Sequence, residues 1–129
     1  MIKYHPAPDI EARAKNIAER TGIKHDFSRI KFLRSTGSQS RYTLARCHAM
    51  PRVMQAALDL KAHYVIEVIS EKFDKMNEEE QTKTIIHELM HVPKSMGGGF
   101  RYHDHVCKKN VEQVYKTLKN SKFGFNENI

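Results

Sequence analysis

The sequence predicts an α+β fold on three observations. Apolar residues recur with a helical period in residues 9–20, 77–92 and 104–119. β-Branched residues concentrate in residues 63–70, and turn residues cluster at 35–40. At 129 residues the chain matches one domain with one core. A hydrophobic content of 40% beside 29% charged residues excludes a disordered chain. The most apolar stretch, residues 64–69, is short and interrupted by Glu67, so no membrane partner is expected.

The elements follow in order. Residues 1–8 hold two prolines and read as an extended lead-in without the apolar core of a secretion signal. Cys47 and Cys107 lie far apart and lack C-x-x-C spacing, which favours neither a disulfide framework nor a thiolate site; a cytoplasmic location is the expectation. Residues 9–20 read as a helix with Ile10, Ala14, Ile17 and Ala18 on one face, stopped by Gly22. Residues 28–34 and 41–49 alternate like strands around the turn cluster and predict a hairpin. Pro51 breaks that pattern, and residues 53–60 read as a short helix or an irregular crossing. With 63–70 as the strongest strand, the sum is a sheet of about three strands.

Asn77 opens the next helix as N-cap, with Glu80 at the capping-box position and three acids at the positive end of the dipole. Pro93 ends it. Ile85, Ile86 and Leu89 face a core, which leaves Thr84, His87, Glu88 and His91 toward a cleft. Gly97-Gly98-Gly99 predicts a mobile connection. A last helix is expected from Asp104 to about residue 119, with Cys107, Val111, Val114 and Leu118 on one stripe, followed by a frayed tail at 121–129.

His87-Glu88-Leu89-Met90-His91 is an H-E-x-x-H pattern, in which a helix offers two imidazoles to one metal ion. Positions four apart on a helix lie about 40° apart around the axis, so both rings aim at one point. Glu88 stands beside them, outside the ligand positions. Roughly 4% of chains this rich in His and Glu would carry the pattern by accident, so context decides. A catalytic zinc takes three protein ligands and leaves a fourth position open. His103 and His105 are the candidates for the third ligand, with His103 favoured because it falls at the end of a loop long enough to fold back. Asp104 is placed to cap the last helix or to accept a ligand's second ring N–H. His5, His25, His48 and His63 have no ligand spacing, and Cys47 and His48, as strand neighbours, point to opposite faces.

The net charge is +7, unevenly placed. Residues 13–52 carry ten Lys/Arg against two acids, whereas 59–80 carry seven acids against three bases. A basic half of this kind suits either a solvated surface or a nucleic-acid partner.

From His87 to Pro93, through the glycines and on to Arg101-Tyr102-His103-Asp104, the sequence resembles the metallopeptidases found in archaea and phages. More broadly it resembles a minimal SprT-like zincin. In such proteins H-E-L-x-H is followed by a loop and a third histidine that opens a helix as H-G-x-x-F. The corresponding run here is His103-Asp104-His105-Val106-Cys107, with Asp104 for the glycine and Cys107 for the aromatic residue. The resemblance spans about residues 30–118 and implies a zincin-like fold. In that fold a helix and a small sheet precede the active-site helix, and the activity is that of a zinc peptidase. The sequence has no C-x-x-C zinc ribbon of the kind several SprT relatives carry, so the resemblance by itself does not imply their DNA-linked substrates.

Two functional expectations result. In the first, His87, His91 and His103 (or His105) bind Zn2+, and Glu88 takes a proton from water and hands it to the leaving amine of a peptide or protein substrate. Tyr102 and Arg101 are the candidates to steady the oxyanion, and strand 63–70 would align the substrate if it forms the cleft-side edge. In the second, residues 13–52 bind nucleic acid and the metal site is structural or vestigial, or serves a DNA-associated protease.

Overall fold

The computed structural model describes residues 1–99, 101–103 and 105–121. Four strands, β1 (Lys3–Pro6), β2 (Ile30–Thr36), β3 (Ala45–Ala49) and β4 (Tyr64–Ile69), form one mixed sheet in the order β1-β2-β4-β3. The helices are α1 (Pro8–Thr21), α2 (Arg52–Leu58), α3 (Ser70–Phe73), α4 (Glu78–His91) and α5 (Lys108–Asn120), with a single 3-10 turn at Phe27–Arg29. Among the described residues no helix is long and apolar enough to cross a membrane.

The α+β class holds, and the sheet differs from expectation in two ways. It has four strands, because the lead-in supplies β1, which pairs antiparallel with β2 from Lys3↔Thr36 to Pro6↔Leu33. Pro6 is tolerated there since an edge strand can do without one ladder N–H. The predicted hairpin also does not form. β4 lies between β2 and β3, parallel to β2 and antiparallel to β3. β4 is the strand buried on both faces, with Val65 alone only half-buried, and such a strand belongs in the middle of a sheet. The intervening loop is held at the end of β4 instead: Ile69 N–H donates to the Leu44 carbonyl at 3.0 Å, and the Lys72 ammonium donates to the Ser40 carbonyl.

One core joins the layers. Ile10, Ala14 and Ile17 of α1 pack with Ile30, Phe32, Tyr64, Ile66 and Val68 of the sheet and with Ile85, Ile86 and Leu89 of α4. α1 buries the residues its period predicts, and Gly22, at φ 80°, supplies the left-handed turn that ends it. The capping box of α4 is formed as read: the Asn77 side chain accepts from Glu80 N–H at 2.9 Å, and the Glu80 carboxylate reaches back to Asn77 N–H.

α5 starts four residues later than predicted. Tyr102 C=O accepts from both His105 and Val106 N–H, closing a separate turn, and Cys107 then adopts an extended φ of −133° as N-cap. Cys107 is therefore half-buried at the helix start rather than on the apolar stripe, which Val111 and Leu118 carry with half-buried Val114. Asp104 and the tail beyond residue 121 lie outside the described residues.

Candidate metal centre

His87 and His91 stand one turn apart near the end of α4, and the loop after Pro93 brings His103 to them. Ring centroids are 5.0 Å apart for His87–His91, 5.5 Å for His87–His103 and 5.0 Å for His91–His103. Their ligand-capable atoms all lie within 4.8 Å of one another, the only such group of three among the described residues.

The loop that delivers His103 is anchored along its length. Buried Met96 accepts from Asp26 N–H through its sulfur, and the Arg29 guanidinium donates to the Ala62 and Met96 carbonyls. Tyr64, fully buried on β4, accepts from Gly98 N–H at 3.1 Å and donates to the Gly99 carbonyl at 2.9 Å. The glycine segment expected to be mobile is thus tied to the central strand. Arg101 then clamps the end of α4: its N–H donates to His91 C=O at 2.7 Å, and its C=O accepts from His91 Nδ1. A carbonyl partner fixes the proton on Nδ1 and makes Nε2 the lone-pair nitrogen of His91, the usual backing of a metal-binding imidazole.

Burial, and then the neighbouring His91 and His103, push the His87 pKa down to about 4. Burial and His103 also lower that of His91, against the Arg101 carbonyl, which raises it. Both rings are therefore neutral at pH 7, the form that binds a metal. Glu88 is 5% exposed, has no hydrogen-bond partner among the described residues, and is pushed up to about 8 by burial. On β3, burial and the Glu88 carboxylate push the Cys47 thiol up to about 12, which keeps it protonated. His48, the next residue, points to the other face and donates to Glu67 at 2.8 Å, as alternation on a strand requires.

His87, Glu88 and His103 open into a cleft of about 620 Å³. Thr84 lines it as read, whereas His91 is 6% exposed and sits behind its wall. His105 lines a different cavity, on the other flank of α4, and so does Arg101. Tyr102 is 67% exposed and lines neither. Arg101 and Tyr102, the candidates to steady an oxyanion, are thus not among the residues that line this cleft.

Strand 63–70, expected to align a substrate if it formed the cleft-side edge, is not an edge. β4 is paired on both sides, and the sheet edge beside α4 is β3, whose Ala45 lines the cleft. Three features of the cleft were not read from the sequence: the wall at Tyr42–Thr43–Leu44, the cation Lys108, and Lys83. The Lys83 ammonium bridges Glu79 at 2.8 Å and Glu112 at 2.6 Å. Lys83 lies four residues before His87, so its helical position was legible, whereas the Tyr42 wall depends on strand order.

The basic stretch is largely occupied inside the fold. Arg13 donates to Gln81 and Thr82, Arg20 to the Leu118 carbonyl, Arg34 to Asp9 and Asp74, and Arg46 to Glu67. Arg29 braces the loop described above, and Lys15 pairs with Glu11.

Three imidazoles converging from a helix and its following loop, beside a carboxyl left without a partner, fit the class of metal-dependent hydrolases. The whole chain narrows the class. Residues 2–122 match the family described as "Putative phage metallopeptidase", and the chain belongs to that family. No curated protein and no solved structure matches it.

Proposed function

We propose that the protein is a zinc-dependent peptidase of SprT-like, zincin type, with His87, His91 and His103 as ligands and Glu88 as general base. The observation that carries this reading is the convergence of three imidazoles beside a buried carboxyl that has no hydrogen-bond partner among the described residues. The donor set suits the ion, since three nitrogens with one open position are common for catalytic zinc. Zinc held there would supply a water of pKa near 7 and polarisation of the scissile carbonyl.

The chain's own residues do the rest. Burial alone keeps Glu88 mostly protonated at pH 7, but a divalent cation held by the three imidazoles would favour its charged form. That carboxylate would take a proton from the attacking water and return it to the leaving amine. Arg101 holds the His91 ring in its tautomer through the backbone. The free edge of β3 offers main-chain hydrogen bonds to an extended polypeptide, which adds as a further strand and lays its scissile bond across the cleft. The Tyr42–Leu44 wall confines it on the sheet side.

Casein cleavage by the zinc-loaded protein and by Glu88→Gln, with zinc measured in both, tests the proposal. Cleavage that Glu88→Gln abolishes while zinc stays stoichiometric is the expected result. Stoichiometric zinc without hydrolysis in either protein contradicts it. Nucleic acid as a partner is a separate proposal. With so many arginines of residues 13–52 engaged internally, it rests on the exposed Lys24, Lys31, Arg41 and Arg52, and it requires salt-dependent binding that survives metal removal.

A further inference from the structure

The flank of α4 opposite the metal site holds a second cavity, of about 520 Å³, which shares no lining residue with the cleft. Its walls are mostly apolar, with Leu89 and Val92 from α4 and its C-cap and Val114 from α5. The Lys and Arg among its described lining residues give its rim one sign of charge, beside the imidazoles of His25 and His105. Lys24, Lys94 and Arg101 line it, all exposed, and no side chain of the three has an ion pair among the described residues. Among the described residues no carboxylate lines it. Three cations without an ion pair among the described residues thus gather around one apolar hollow.

From this we infer that the cavity is a binding site for a small amphipathic carboxylate, with the apolar body on Leu89, Val92 and Val114 and the head group among Lys24, Lys94 and Arg101. The volume lies within the range of ordinary small-molecule sites, about 300–1,000 Å³. An apolar wall gives affinity without direction, and the rim cations select an anion over a neutral molecule of the same shape. The site also adjoins the metal centre through one residue: the backbone of Arg101 clamps His91 while its side chain lines the cavity.

Octanoate and octanol are the probes, titrated into metal-free and zinc-loaded protein while NMR follows the Val114 methyls and the His25 ring, which lines the same cavity. Saturable octanoate binding is expected, equal in both metal states, with octanol at least tenfold weaker. The double variant Lys24→Glu/Lys94→Glu, altered at two exposed positions, should weaken octanoate at least tenfold at unchanged Tm. Equal binding of octanoate and octanol would overturn the inference. So would binding that appears only with zinc, which would place the carboxylate on the metal, or binding that the double variant retains.

Discussion

Two carboxylates, Glu67 and Glu88, sit in the same small sheet-and-helix layer and are about equally hidden, at 2% and 5% exposed. Their surroundings are opposite. Glu67 accepts from Arg46 at 3.3 Å and from His48 at 2.8 Å. Burial alone would push its pKa up, but the Ser35 hydroxyl, His48 and Arg46 together hold it below the ordinary value of 4.5. Glu88 has only burial acting on it, and goes up to about 8. A buried carboxylate surrounded by donors is a brace, here tying the edge strand β3 to the central strand β4. One left without donors, beside three imidazoles, is available for proton transfer.

The largest effect should come from the imidazoles. His87→Ala, His91→Ala or His103→Ala should each weaken zinc binding by at least about a hundredfold in a chelator competition, whereas His105→Ala leaves it unchanged. Next comes the lone carboxyl. Glu88→Gln should cut peptide cleavage by about 10²–10⁴-fold while zinc binding persists, the range expected for a lost general base.

Glu67 should behave in the reverse way. Glu67→Ala strands the Arg46 and His48 donors, and a loss of roughly 1–3 kcal/mol in urea unfolding is expected, with zinc binding retained. Its pH dependence has a definite sign. Because the folded-state pKa lies below 4.5, the stabilisation from Glu67 is present above that pH and is lost as pH falls through the folded-state value. In Glu67→Gln the acid limb of the Tm–pH curve should therefore be shallower than in the wild type. The smallest effect belongs to the cap: Asn77→Ala should cost about 1 kcal/mol and leave activity intact.

What was legible in the sequence was local. α1 and α4 announce themselves by period, by Gly22 and by the Asn77–Glu80 box, because those signals act within a turn or two of the chain. The pair His87 and His91 follows from helix geometry in the same way. Strand order was not legible. The alternation in residues 30–34 and 41–49 fits a hairpin equally well, and only packing shows that β4, buried on both faces, displaces β3 to the edge. The cleft wall at Tyr42 depends on that order. The approach of His103 likewise depends on Tyr64 and Arg101, whose hydrogen bonds join segments distant in sequence and leave no periodic trace.

The most direct measurement is anomalous scattering at the zinc edge from crystals grown with one equivalent of zinc. A single strong peak within bonding distance of His87, His91 and His103, with Glu88 beside it and unbonded, is the predicted result. A peak that draws in His105, or that lies away from α4 altogether, would contradict the account.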